Sequence, residues 1–107
     1  MSQQYAQLKE LDALHHLHPF TTHSSLRSGG ARVIVRGEGP YIYDSEGARI
    51  LDGMSGLWTT AVSYGREELA KAAYDQMLQL PFYNTFFRTT HPPVVELSRK
   101  LAEKRII

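Results

Sequence analysis

Three histidines near the amino terminus are the first residues whose type and spacing suggest chemistry. Imidazole nitrogens bind metals and carry protons near neutral pH, and His15, His16 and His18 form the densest such group. On a continuous helix only His15 and His18 share a face, while His16 points about 100° away and Pro19 interrupts the segment. A structural zinc site needs four convergent ligands, and the chain contains no cysteine. The pattern therefore predicts solvated or hydrogen-bonding rings and no metal site.

Other reactive residue types lack the context that their chemistry requires. No serine lies in a G-x-S-x-G elbow, which argues against a nucleophilic triad. The glycines do not have the spacing of a phosphate-binding loop. The four lysines fall on polar faces of predicted helices and are interpreted as solvated charges; they are Lys9, Lys71, Lys100 and Lys104.

Bulky apolar side chains outside regular elements are the remaining candidates. The only tryptophan ends the stretch DGMSGLW (52–58), where two glycines loosen the backbone just after a run of strand-like sequence. Side chains at such joints either converge on a cleft that binds a small molecule or fill gaps between elements. The candidates are Phe20, Leu57, Trp58, Phe86 and Phe87.

Composition narrows the class of protein that these residues serve. The 107 residues are 42% apolar and 21% charged, which is ordinary for a globular protein. The net charge is only +1 and the arginines are scattered, so nucleic acid is an unexpected partner. No signal peptide or membrane-spanning run is visible, and we expect a cytoplasmic protein without a membrane partner.

The amino-terminal part, 1–30, is predicted to be a helix followed by an extended arm. The helix starts near Ser2 and carries an apolar stripe at helical spacing. The segment 18–30, HPFTTHSSLRSGG, contains a proline, several hydroxyl residues and a closing glycine pair, which indicates an arm that lies across a surface. The predicted stripe consists of Tyr5, Leu8, Leu11 and Leu14.

The middle part, 31–60, is predicted to contain a three-stranded antiparallel meander. β-Branched and aromatic residues at 31–39 and 41–44 are separated by a Gly-Pro pair, and the strand pattern resumes at 49–52. Between them, Asp44 begins a turn and Gly47 occupies the position that needs a left-handed conformation.

The last part, 61–107, is predicted to contain two helices joined by an aromatic loop. An amphipathic pattern begins at Arg66 and is ended by Pro81, and a second helix begins at the prolines 92 and 93. The loop at 82–87 is unusually aromatic. The final residues, KRII, offer no glycine cap or polar exit, so we expect a chain cut short of a complete fold.

The order of these motifs resembles a known family. The stretches RGEGPYIYDSEGARILDGMSGLW and YGREELAKAAYDQMLQLPFYNTFFRTTHPPVVELSRKLAE closely resemble the N-terminal region of class III (fold type I) pyridoxal-phosphate-dependent aminotransferases. They are nearest to the ω-transaminases that use pyruvate, and HHLHPFT resembles the arm that precedes this region. The resemblance extends from about Leu11 to Glu103.

The resemblance implies an α/β fold and a two-step amino transfer. An amine or ω-amino acid gives its nitrogen to pyridoxal 5′-phosphate, which then passes it to pyruvate or a similar keto acid. It also implies a site at the interface of a homodimer or of dimers within a tetramer, with the 86–87 loop given to the neighbouring subunit. The substrate-pocket positions it implies are Phe20, Leu57, Trp58, Phe86 and Phe87.

The family's Schiff-base lysine has no counterpart among the four lysines of this chain. The resemblance places that lysine, and the groups that hold the cofactor ring and phosphate, after residue 107. The isolated chain is therefore expected to be inactive and to contain no catalytic residue. Two alternatives stay open: a non-catalytic fragment that docks or dimerises through its arm and aromatic loop, and a histidine-rich metal binder.

Overall fold

The computed structural model describes residues 3–104, which form two compact units, 3–66 and 67–104. The first unit contains two helices, a three-stranded sheet and a single helical turn, and the second contains two longer helices. The predicted helix start at Ser2 and the isoleucines at 106 and 107 lie outside the described residues. None of the helices in the described part has the length and apolar content needed to cross a membrane.

Helix α1 (Gln3–His15) confirms the predicted amino-terminal helix, but the predicted arm is partly helical. Residues His23–Gly29 form α2 within the segment that was expected to be extended. The hydroxyl of Ser25 donates to the carbonyl of Thr22 at 2.7 Å, so a side chain typical of loops bonds back along a helix instead. Leu26 of α2 is buried, and α2 contacts α1.

Strands β1 (Ile34–Glu38), β2 (Tyr41–Asp44) and β3 (Arg49–Leu51) confirm the predicted antiparallel meander, in that order across the sheet. The buried carboxylate of Asp44 organises the turn between β2 and β3. Its Oδ1 accepts the backbone amides of Glu46 at 3.0 Å and of Ala48 at 2.9 Å. Gly47 has a φ of 89°, which confirms the left-handed position predicted for it.

The ring of Tyr64, which follows the sheet in sequence, packs against Gly37 of β1. Gly39 and Tyr64 exchange backbone hydrogen bonds of 3.2 and 2.9 Å, which adds a short antiparallel bridge to the sheet edge. The phenol ring then covers Gly37, where an added Cβ would lie 2.5 Å from the ring's Cγ. Because real Cβ atoms do not approach other carbons so closely, only glycine at position 37 admits the ring.

The second unit confirms the two predicted helices. Helix α4 (Glu67–Gln79) begins with two acidic residues, which favour the positive end of the helix dipole, and Pro81 prevents its continuation. Helix α5 (Pro92–Glu103) begins at two prolines, as predicted. The amphipathic stripes stay open, since Leu69, Met77 and Leu97 are all exposed. Within the described residues, Leu26 is the one buried large apolar side chain.

The contact between Gly37 and Tyr64 gives a stability prediction. Replacement of Gly37 by Ala is expected to lower the free energy of unfolding by about 1–3 kcal/mol, because the new methyl group overlaps the phenol ring. Alanine normally suits a strand better than glycine does, so the expected sign is opposite to the intrinsic preference. Chemical denaturation of the purified protein measures the change.

The matched control is Gly29→Ala, since an added Cβ at Gly29 meets no atom within 4 Å. That substitution should leave the free energy of unfolding unchanged or raise it by up to about 1 kcal/mol. A Gly37→Ala protein as stable as the parent would contradict the steric argument.

Candidate substrate-binding site

The chain leaves the sheet through one turn of left-handed helix, α3 (Ser55–Trp58). All four of its residues have positive φ angles, which are 53°, 57°, 63° and 69° in chain order. The amide of Trp58 donates to the carbonyl of Met54 at 3.0 Å, so the turn keeps helical hydrogen bonding with inverted hand. A left-handed helix costs about 1–2 kcal/mol for each residue that has a Cβ, and only Gly56 is exempt.

The carboxylate of Asp52 holds this strained turn in place. Its Oδ1 accepts the amide of Met54 at 3.1 Å, and its Oδ2 accepts the amide of Gly56 at 2.7 Å. The hydroxyl of Tyr64 donates to the same Oδ2 at 2.5 Å. The Tyr64 hydroxyl, and after it the backbone amides, lower the pKa of the Asp52 carboxyl from its ordinary 3.8, against a partial loss of solvent.

The turn displays two of the predicted pocket residues. The indole of Trp58 is 93% exposed and the side chain of Leu57 is 61% exposed. The indole forms one wall of an open cavity of about 330 Å³, whose other walls are Gly53, Met54 and Ser55. The exposed indole is therefore available to a small molecule and does not fill a gap inside the first unit.

The two glycines of this stretch have unequal roles. Gly56 has a φ of 57°, which fits the flexibility predicted for it, whereas Gly53 has no positive φ. The predicted loose joint is instead a turn fixed by hydrogen bonds to Asp52. The direction of the indole is consequently set by the turn and its carboxylate.

The aromatic loop of the second unit displays the two predicted phenylalanines as a pair. Their ring centres lie 6.3 Å apart with the planes at 75°, an edge-to-face contact. Asn84 Oδ1 accepts the amide of Phe86 at 3.0 Å, and the hydroxyl of Thr89 donates to the Phe86 carbonyl at 2.6 Å. Both rings are exposed, and Phe87 has a φ of 54°.

Phe20, the last predicted pocket residue, follows the end of α1 and is fully exposed. Its φ is 50°, so four of the five predicted residues have left-handed backbone, Phe86 being the exception. Such residues cost about 1–3 kcal/mol each and are concentrated at functional sites. In the described residues of the first unit, no ring-to-ring contact joins Phe20 to Trp58. The structure thus places Leu57 next to Trp58 on the turn and Phe86 next to Phe87 in the loop.

The histidines that lie close together are not the pair that a continuous helix would bring together. Because α1 ends at His15, His16 and His18 turn toward each other and toward Asp12, a residue that the sequence analysis did not consider. Hydrogen bonds from His16 and then from His18 lower the pKa of the Asp12 carboxyl below its ordinary value. His15 is not part of this group.

The lysines of the described chain do not fit the role of a cofactor-binding lysine. Three of them point at carboxylates on the surface: Lys9 at Glu46 (3.3 Å), Lys71 at Asp75 (2.8 Å) and Lys100 at Glu96 (3.8 Å). The fourth, Lys104, is exposed at the end of α5. An amine that forms a Schiff base must instead lose its proton in a shielded pocket.

Sequence reasoning also missed the residues that support the turn. Asp52 could have been found, because aspartate followed by small residues often accepts backbone amides two to four positions later. Tyr64 gives no such local signal, since it reaches Asp52 across twelve residues through the fold.

Comparison with known proteins identifies the family. Residues 25–106 match the family described as aminotransferase class-III. The chain belongs to this family. It is 56% identical over 101 residues to putrescine–pyruvate aminotransferase of Pseudomonas aeruginosa, an alignment that covers 92% of this chain and 22% of that protein. The chain therefore spans about a fifth of the length of this class-III relative.

Solved structures of ω-transaminases share the fold of this class-III chain. An (S)-enantioselective ω-transaminase from Thermomicrobium roseum aligns with a TM-score of 0.87 and 47% identity, over 96% of this chain and 23% of that one. A thermostable ω-transaminase in which a tryptophan is replaced by glycine was engineered for the synthesis of bulky amines. It aligns with a TM-score of 0.82 and 38% identity, over 90% of this chain and 21% of that one. The predicted fold type and family resemblance are confirmed.

The hydrogen bond between Tyr64 and Asp52 gives a pH-dependent prediction. Tyr64→Phe removes the donor, so the pKa of Asp52 is expected to rise toward 3.8, which NMR titration of the carboxyl measures. A depressed folded pKa adds stability above the ordinary pKa, and this stability is lost as pH falls through the folded pKa. The parent should therefore exceed Tyr64→Phe in stability at about pH 7, and the difference should shrink at about pH 3.

Tyr74→Phe is the control, because Tyr74 is an exposed tyrosine on α4, in the other compact unit. It should leave both the Asp52 titration and the unfolding curve unchanged. A difference between parent and Tyr64→Phe that is the same at both pH values would contradict the assignment.

Proposed function

We propose that this chain is the N-terminal part of a pyridoxal 5′-phosphate-dependent transaminase. The reaction moves an amino group from an amine or ω-amino acid to pyruvate or a similar keto acid. Membership of the class-III aminotransferase family and similarity to a putrescine–pyruvate aminotransferase and to ω-transaminases support the reaction type. The role of this chain is to bind and orient the amine through its exposed apolar side chains.

The observation that carries the proposal is the strained turn that displays Trp58. A left-handed segment of this kind persists only where surrounding contacts hold it, and here Asp52 and Tyr64 do so. Apolar surface placed against the indole gains about 0.8 kcal/mol for each buried methylene. The site should therefore favour apolar amines over small polar ones.

Pyridoxal phosphate, when bound, supplies the electron sink of such a reaction. Since the described lysines do not fit a Schiff base, we assign the cofactor lysine and the phosphate-binding groups to polypeptide outside this chain. We propose that Phe20, Leu57 and Trp58 line the substrate side of one site and that Phe86 and Phe87 line that of the neighbouring subunit. We also propose a cytoplasmic location, as the sequence predicts.

A homodimer completes this proposal. The phenylalanines 86 and 87 are exposed and make an edge-to-face pair within a loop that hydrogen bonds fix. Rigid exposed aromatic residues are typical anchors of protein interfaces. We propose that this pair extends into the site of the neighbouring subunit.

The second candidate function is a docking or dimerisation element without catalysis. The exposed apolar stripes of α4 and α5, with Leu69, Met77 and Leu97 open to solvent, favour a surface that packs against other protein. This candidate predicts assembly through the chain but no cofactor chemistry.

A cofactor-trapping experiment distinguishes the two candidates. The full-length protein, supplied with pyridoxal phosphate and reduced with borohydride, should carry the cofactor on a lysine, which peptide mapping locates. With an amine and pyruvate it should form alanine, measured by chromatography. An unlabelled protein that forms dimers but no alanine would favour the docking function.

The exposed indole predicts the amine selectivity. Trp58→Ala should widen the site, so the ratio of kcat/KM for bulky amines to that for small aryl amines should rise by roughly 10-fold or more. The measurement is alanine formation across a panel of amines at fixed pyruvate. The engineered relative with a tryptophan replaced by glycine supports this direction.

Phe82→Ala provides a matched control, since Phe82 is also an exposed aromatic residue (80%) but is not among the proposed pocket residues. Its selectivity should equal that of the parent. Unchanged relative rates in Trp58→Ala would exclude the indole from the pocket.

A further inference from the structure

Asp12, His16 and His18 form a compact group of nitrogen and oxygen donors at the end of α1. His16 Nδ1 lies 3.0 Å from Asp12 Oδ1, and His18 Nε2 lies 2.9 Å from the same oxygen and 2.8 Å from Oδ2. All three ligand atoms lie within 4.8 Å of one another. Both ring nitrogens donate their N–H to the one carboxylate, so an ion that displaces these two protons would meet nitrogen lone pairs directed toward the same oxygen atoms.

The backbone holds these donors together. Asp12 and His16 are four residues apart, a spacing that places two ligands on one side of a helical turn. His18 comes from the segment beyond the helix end, and Pro19 restricts the backbone that carries it. The rings of His16 and His18 lie 4.2 Å apart at 44° to each other, so neither needs to swing far to share an ion.

We propose that Asp12, His16 and His18 bind a divalent transition metal ion of the zinc class. Two imidazoles and one carboxylate match the ligand preference of such ions. Bonds of about 2.0–2.2 Å in tetrahedral geometry place ligand atoms about 3.3–3.6 Å apart. The nitrogen–oxygen pairs are now 2.8–3.0 Å apart, so they need only a small separation to admit an ion. The fourth position stays open.

Two of the proposed ligands are partly buried and the third is exposed. The side chains of Asp12 and His18 are 21% and 22% exposed, whereas that of His16 is 61% exposed. An ion can therefore enter from the His16 side and meet two partly buried ligands. None of the three ligands is among the proposed pocket residues, of which Phe20 is nearest in sequence, two residues after His18.

The sequence disfavoured a metal site, because on one continuous helix face only His15 and His18 come together. The helix ends at His15, which frees His16 and His18 to converge, and the third ligand is a carboxylate instead of a third imidazole. Zinc sites with three protein ligands and one open position are common in enzymes. A fourth protein ligand is therefore not required.

Calorimetric titration of the chelator-treated full-length protein with Zn²⁺ tests the proposal. We expect one saturable site per chain. His16→Gln and His18→Gln should each weaken binding at least ~10-fold, since even loss of an outer-shell partner weakens metal sites 10–100-fold. Co²⁺ in place of Zn²⁺ should give the visible absorption of a low-coordinate site, and both variants should lose it.

His15→Gln is the matched control, because His15 is an adjacent exposed histidine outside the group. It should bind Zn²⁺ as the parent does. No saturable binding by the parent, or equal weakening by His15→Gln, would overturn the proposal. His16 is the most exposed ligand, so His16→Gln keeps the test valid if His18→Gln fails to fold, which circular dichroism shows.

Discussion

The hydrogen bond from the Tyr64 hydroxyl to the Asp52 carboxylate is the interaction on which the first unit depends. On one side, Tyr64 is tied to the sheet by its packing on Gly37 and its backbone bridge to Gly39. On the other, Asp52 binds the amides of a turn that would otherwise be unfavourable. Three left-handed residues with a Cβ cost roughly 3–6 kcal/mol, and the Asp52 carboxylate opposes this cost by accepting two amides of the turn while Tyr64 fixes the carboxylate. The sheet thus supports the turn through a single side chain.

The described residues form regular secondary structure but bury very little apolar surface. The strands and turns of the described residues form hydrogen bonds with one another, yet Leu26 is the one large apolar side chain buried among them. Local signals are enough to define such elements, because caps, turns and periodicity act over a few residues. Their apolar faces stay open for packing against other protein. This combination fits a family in which the matching region is about a fifth of the polypeptide.

Local signals also explain which features the sequence could predict. The turn at Asp44 and Gly47, the stop at Pro81 and the start at Pro92 are all encoded within a few residues, and each was found in the structure. The helix at His23–Gly29 was missed because serine and threonine suit both loops and helix ends. The left-handed turn was missed because its support, Tyr64, is remote in sequence.

For the candidate site too, the sequence predicted what nearby residues determine and missed what remote residues determine. Residue type and irregular position were enough to select the four aromatic residues and Leu57, and all five proved exposed. Their backbone conformation was not predictable, because of the four left-handed residues in the turn only Gly56 is of a type that commonly has a positive φ. The group of Asp12, His16 and His18 required the exact residue at which α1 ends, a boundary that periodicity fixes poorly.

The positive φ of Trp58 limits how this position can diversify. β-Branched side chains are the least compatible with a left-handed backbone, so valine and isoleucine are disfavoured there whatever ligand they would face. Glycine removes the ring and the backbone strain together, whereas alanine removes only the ring. Replacement of Trp58 by a small residue is therefore most favourable with glycine, and it is the main-chain geometry that makes it so.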